Sequence, residues 1–198
     1  MREIQASRIA ETVSRLCIEA NTHLPGDMKR RIQDCRECET WPVAREILDQ
    51  IVENYEIADA QNVPICQDTG MAVVFADIGV DVHLTGGCLQ EAVDRGVHAA
   101  YLDGQMRCSI VRDPLYHREN TGDNTPALLH IRQVPGDTLR LTVAPKGFGS
   151  ENMSRIRMFT PAATENDIVA FVTDTVRSAG ANPCPPIVVG VGLGSDFE

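Results

Sequence analysis

Ile65-Cys66-Gln67-Asp68-Thr69-Gly70 sets a thiol, an amide, a carboxylate and a hydroxyl side by side. A cysteine between Val63-Pro64 and the strand-like run Met71-Ala72-Val73-Val74-Phe75 can turn its sulfur toward a metal. Asp68, two residues on, can then exchange protons with whatever the metal holds. The same hexapeptide also reads as a free cysteine in the core followed by an Asp-Thr-Gly turn. A second thiol, Cys184, sits in Asn182-Pro183-Cys184-Pro185-Pro186. The flanking prolines fix its backbone and deny it a helix or a central strand. That rigidity suits metal ligation and suits a structural turn equally. In Lys146-Gly147-Phe148-Gly149-Ser150-Glu151-Asn152, glycines beside a lysine can bring backbone N–H groups to an anion. The spacing is not that of a P-loop, and a simple tight turn fits as well. Cys35-x-x-Cys38 has no second pair and reads as incidental.

The elements that must position these groups follow from periodicity. Residues 1–60 read as helical. Ile4, Ile9, Val13 and Leu16 recur at roughly helical spacing, and Pro25-Gly26 breaks the run. A charged helix is expected over residues 27–39. A third should open with Thr40 as N-cap and Pro42 near its start. Its stripe would be Val43, Ile47, Ile51 and Tyr55. Beyond Gly70 the period becomes strand-like. Two strands are expected around Gly79, at residues 71–78 and 80–84, then a helix over residues 88–102. Asn120-Thr121-Gly122-Asp123-Asn124-Thr125-Pro126 fits a solvated loop, the usual state of such a polar run, and, being dense in side chains that bond backbone, fits equally a rigid, partly buried loop that shapes a site. Residues 127–132 and 138–143 are expected to pair as a hairpin across Pro135-Gly136-Asp137. Thr164-Glu165-Asn166-Asp167 resembles a capping box for a helix ending at Gly180. A strand is expected over residues 187–191. Ser195-Asp196-Phe197-Glu198 resembles another capping box, so a longer architecture is expected to continue beyond residue 198.

The expected fold class is α+β: an N-terminal helical region (1–60) packed on a mixed β-sheet with flanking helices (61–198). The chain has 198 residues and a formal net charge of -10. No Lys/Arg block stands out, which argues against nucleic acid and anionic membranes as partners. The cysteines number seven and are scattered. Neither a signal peptide nor a membrane-length apolar run is present, so a cytoplasmic location with reduced thiols is expected.

Together these segments resemble one family, the iron–sulfur (class I) fumarate hydratases and related L-tartrate dehydratase α subunits. The matching stretches are Val63 with the residues through Gly70, Leu84-Thr85-Gly86-Gly87, the loop from Asn120 to Ala127, and the loop from Lys146 to Asn152. Asn182-Pro183-Cys184-Pro185-Pro186 with Gly190-Val191-Gly192 completes the set. The resemblance covers about residues 50–198, and two of the loops look more like the fumarase branch. It implies a hydro-lyase interconverting fumarate and L-malate through a [4Fe–4S] cluster whose open iron binds a small dicarboxylate substrate. It implies Cys66 and Cys184 as cluster ligands. Asp68 is implied as the acid/base group and Arg107 as a carboxylate-binding catalytic residue. Gln67 and Gly149 are implied as substrate contacts. The third cluster cysteine falls in a downstream segment, so that ligand is not present in this chain. Phe148 stands where the family usually has glycine. Further site residues belong to a β subunit or β domain. A homo- or hetero-oligomer is therefore expected, with the isolated chain inactive. The nearest alternatives are a subunit acting on tartrate or another hydroxy-diacid, and a non-catalytic, regulatory fragment. A zinc module would need four ligands, and no convincing set is present.

Overall fold

Small and branched apolar residues alternate along Met71-Ala72-Val73-Val74-Phe75-Ala76, and this run becomes the middle strand of a sheet. The computed structural model describes residues 1–194; the expected capping box at 195–198 lies outside them. The chain forms an α+β fold. Its elements are β1 (Arg2–Gln5), α1 (Ala6–Thr22), α2 (Gly26–Cys38), α3 (Pro42–Gln61), β2 (Met71–Gly79), β3 (Val82–Thr85), α4 (Leu89–Asp103), β4 (Leu128–Val134), β5 (Leu139–Lys146), α5 (Phe148–Glu151) and α6 (Glu165–Ala179).

The chain divides into two compact units, one from Met1 to Lys146 and one beginning at Gly147. In the first, the sheet order is β4-β2-β5, with β4 parallel and β5 antiparallel to β2. One face of β2 buries Ala72, Val74 and Ala76. The other carries Phe75, which stacks on His130 of β4 at 5.0 Å. Helices α1 and α4 supply most of the rest of the core: Ala6, Ile9, Val13 and Cys17 from α1, and Leu89, Ala92, Val93, Val97, Ala100 and Tyr101 from α4, with Met106 and Ala127 added from irregular segments. The expected stripe of α4 is the buried one. Gly96 lets the two helices touch closely, since a Cβ there would lie 2.6 Å from the Ala10 carbonyl oxygen.

Several expectations are corrected. The N-terminus is not helical throughout: β1 pairs in parallel with β3, Ile4 against Leu84. Residues 2–5 carry no alternation of their own, and a strand partner some eighty positions away decides their state. β4 and β5 do not form a hairpin, because β2 lies between them. Gly79 explains the arrangement. Its N–H donates to the Thr138 carbonyl (2.8 Å), and the Val80 N–H donates to the Val134 carbonyl (2.9 Å). The 135–138 loop thus straddles the end of β2, and a Cβ on Gly79 would collide with the Gly136 carbonyl at 2.2 Å. Thr40 does not cap α3. Trp41 precedes the helix, and the Glu39 carboxylate accepts the Thr40 and Trp41 N–H groups at 2.8 Å each. Val43 and Ile47 are exposed. Of the same expected stripe, Tyr55 is buried and Ile51 packs beside it; the helix also buries Leu48 and Ala58, and Leu48 and Tyr55 pack against Ile32 of α2.

In the second unit, α6 has the expected capping box, with Thr164 and Asp167 each bonding the other's backbone, and Gly180 ends it. Phe171 meets Phe159 edge-on at 5.9 Å. Residues 187–191 form no strand; Val188 and Val191 are exposed and no partner strand pairs with this segment among the described residues. The Lys-Gly-Phe-Gly loop closes as the single helical turn α5.

Candidate functional site

The Cys66 loop leaves α3 through Asn62, whose left-handed backbone (φ 54°) ends the helix. It is fastened upstream at Ile65. The Ile65 N–H donates to the Asn21 carbonyl at the end of α1, and the Ile65 carbonyl accepts from Asn54 of α3, both at 2.9 Å. Cys66 and Gln67 are exposed and Asp68 is half-buried. The Cys66 sulfur accepts the Asp68 N–H at 3.4 Å and lies 3.5 Å from the Gln67 amide oxygen. Thr69 and Gly70 are buried, and the Tyr101 hydroxyl of α4 donates to the Thr69 carbonyl at 2.9 Å. Burial raises the Tyr101 phenol, keeping it a neutral donor.

Arg107 belongs to a second irregular segment, just past α4. Its side chain is exposed, while its carbonyl accepts from the Thr69 hydroxyl at 3.1 Å. The loop of Cys66, Gln67 and Asp68 is thereby joined directly to the backbone of Arg107.

Of the two readings of the loop at residues 120–126, the partly buried one holds. Asn124 is fully buried. Its amide oxygen accepts the Ser109 and Ile110 N–H groups at 2.7 and 3.2 Å, and its NH2 donates to the Gly70 carbonyl at 3.0 Å. Asn120 donates to the Cys108 carbonyl at 2.9 Å. A ridge on α4, Gln90, Asp94 and His98, grips the same loop. Asp94 accepts the Ala127 N–H at 2.8 Å, Gln90 donates to the Ala127 carbonyl at 3.3 Å, and His98 meets Asp123 at 3.2 Å. Partial burial pushes Asp123 up, but hydrogen bonds from the Thr125 N–H and hydroxyl, His98 and Thr121 outweigh it and hold the carboxyl at about 2. Burial first, and the Asp123 charge second, raise the Cys108 thiol.

Sequence reading gave Asn124 and Tyr101 no role of their own, and took Thr69 only as one polar group of the hexapeptide. The polar density of the loop was the only signal for Asn124. Nothing local marked Tyr101, which looks like one more apolar position on α4.

Gly149 and Cys184 lie in the second unit. Gly149 is half-buried within the α5 turn. Cys184 is exposed, in a left-handed conformation (φ 58°), with its N–H donating to the Ala181 carbonyl at 3.1 Å. The prolines do hold it in a tight turn outside helix and strand.

The chemistry of the donors bears on an iron–sulfur group. Cys66 and Cys184 are free, exposed thiols, and the N–H on the Cys66 sulfur is what a cluster thiolate accepts. Both fit as ligands. Among the described residues, no three His, Cys, Asp or Glu side chains stand together in a group that could hold a metal ion. The fit therefore extends to two individual ligands and not to a complete set.

A family model described as fumarate hydratase (Fumerase) matches residues 10–198. A Methanocaldococcus jannaschii protein named putative L(+)-tartrate dehydratase subunit alpha is 34% identical over 196 residues, covering 96% of this chain and 68% of that protein. L(+)-tartrate dehydratase subunit alpha from Escherichia coli is 26% identical over 194 residues, covering 97% of this chain and 64% of its own length. The chain thus spans 68% of the first relative and less than two thirds of the second.

Proposed function

The chain belongs to the fumarate hydratase (Fumerase) family, and from that premise we propose that it is the α portion of a hydro-lyase acting on a four-carbon hydroxy-diacid. Fumarate and L-malate are the substrates this reading assigns first, on the two fumarase-like loops. Arg107 binds a substrate carboxylate through its planar fork. Asp68 gives a proton to the departing hydroxyl, or takes one from the entering water. Gln67 and the Gly149 N–H hold the diacid in register. Cys66 and Cys184 would each supply a thiolate to a [4Fe–4S] cluster. When bound, such a cluster supplies Lewis acidity at an iron that carries no thiolate. The observation that supports the reading is the bond from the Thr69 hydroxyl to the Arg107 carbonyl. It ties the segment carrying an acid/base carboxylate to the backbone of a carboxylate-binding arginine.

A β subunit or β domain completes the site, and the assembled enzyme is an oligomer in the cytoplasm. Among the described residues, no helix is long and apolar enough to cross a membrane. A second reading, dehydration of L-tartrate to the enol of oxaloacetate, is favoured by the names of the relatives. Anaerobic co-expression with a β-type partner tests both. Loss of the fumarate C=C absorbance, with little turnover of L-tartrate, is the expected outcome. Turnover of L-tartrate alone replaces the first reading by the second. Clear turnover by the isolated chain would remove the need for a partner.

A further inference from the structure

Asp68 and Arg107 come from separate irregular segments, and neither stands on a helix or a strand. Loops alone do not hold a catalytic distance, and a misplacement of about 1 Å can cost on the order of a hundredfold in rate. Two side chains outside the proposed reacting set cross-link these segments. Asn124, with no exposed surface, grips Gly70 with its NH2 and Ser109 and Ile110 with its oxygen. Thr69, 3% exposed, reaches the Arg107 carbonyl. One tie therefore falls two residues beyond Asp68 and two and three beyond Arg107, and the other joins Thr69, next to Asp68, to the Arg107 carbonyl itself.

We propose that Asn124 and Thr69 are positioning residues that fix the spacing between the Asp68 loop and the Arg107 segment. This rests on the function proposed above. Asn124 suits the task because an amide is donor and acceptor at once. It can bridge a carbonyl on one loop to N–H groups on another, which an ionised carboxylate cannot do. Thr69 suits it because its β-branch restricts χ1 and aims the hydroxyl. In this knot a purely structural role and a positioning role predict different kinetics. The first lowers stability and leaves the folded enzyme's rate constants alone. The second lowers kcat/KM in protein that is still folded.

The test uses the full chain assembled with a β-type partner, alongside the free full chain for hydrogen exchange. Thr69→Val keeps the shape and removes the donor, and Thr69→Ser restores it. Asn124→Ala is the harsher variant, so Thr69→Val carries the test if Asn124→Ala does not fold. For Thr69→Val we expect kcat/KM on fumarate or L-tartrate to fall about 10- to 100-fold. Amide exchange at residues 107–110 should quicken while the core of α4 stays protected. Thr69→Ser should stay within about threefold of the parent on the same scale. A folded Thr69→Val with parental kcat/KM and parental exchange at 107–110 overturns the proposal. So does a Thr69→Ser as impaired as Thr69→Val. If the parent complex turns over neither diacid, the functional reading fails on its own, and exchange at 107–110 alone decides whether the tie exists.

Discussion

The Asp123 carboxylate shows how the site loop is held by charge as well as by shape. Its carboxyl titrates at about 2 in the fold, against about 3.9 in an unfolded chain. A depressed acid stabilises the fold above the unfolded value, and the contribution disappears as pH falls through the folded one. Asp123→Asn should therefore flatten the acid limb of stability between about pH 4 and pH 2. Urea midpoints at pH 7, 4 and 2.5 measure this; parallel profiles for parent and variant would contradict it. Thiol reactivity separates the cysteines in the same way. Burial pushes the Cys17 thiol up to about 12, so it has almost no thiolate at neutral pH. Brief iodoacetamide treatment of the native chain should label Cys35, Cys38, Cys66, Cys88 and Cys184, which are exposed. Cys17 should label only in urea, as peptide mass spectrometry would report. The stretch from Cys66 to Thr69 was legible in the sequence as a polar cluster because its side chains are consecutive. Asn124 was not, since its partners Gly70, Ser109 and Ile110 are distant in the chain and become neighbours only once α4 packs on the sheet.

Between the two helices that cover the sheet, Gly96 decides how closely they approach. Alanine favours helix over glycine by about 1 kcal/mol, so Gly96→Ala would stabilise an uncrowded α4. The Cβ would instead stand 2.6 Å from the Ala10 carbonyl and 2.7 Å from the Val13 Cβ. Rigid backbone on one side and a β-branched core residue on the other leave no room for adjustment. The overpacking term wins, and the variant should lose about 2–3 kcal/mol in urea unfolding. A gain would mean the helices are not in contact. Two of the helices, α4 and α6, were readable from period and boundary residues, whereas the expected cap of α3 was not the one used. Strand pairing was not readable: α4 and α6 announce themselves within their own residues, whereas β1 becomes a strand only because β3 presents an edge to it. The β4-β2-β5 order depends on Gly79, whose missing side chain matters only where the 135–138 loop crosses it.

For the molecule as a whole, apolar burial is concentrated in one unit. Every residue of the main core, from Ala6 to Ala127, and every partly buried apolar residue packed on it, out to Val143, precedes Gly147. Among the described residues from Gly147 onward, Ala179 is the one apolar side chain in the buried class. Burial at about 25 cal/mol per Å² is what offsets the entropy of ordering a chain, and a segment with so little of it has weak means to fold unaided. The sheet, by contrast, closes within the first unit, since Lys146 pairs with Met71 as the last rung of β5 on β2. Residues 1–146 expressed alone should therefore melt cooperatively, within about 5 °C of the whole chain. Residues 147–198 alone should show no cooperative transition. Such a fragment keeps Cys66, Gln67, Asp68, Arg107 and the Asn124 knot, and lacks Gly149 and Cys184. It should consequently retain protected amides at Ser109 and Ile110 while having only one of the two proposed cluster thiolates. Circular dichroism melts of both fragments, with amide exchange on the first, would check this; loss of cooperative melting in residues 1–146 would show that the second unit contributes stability its exposed surface does not suggest.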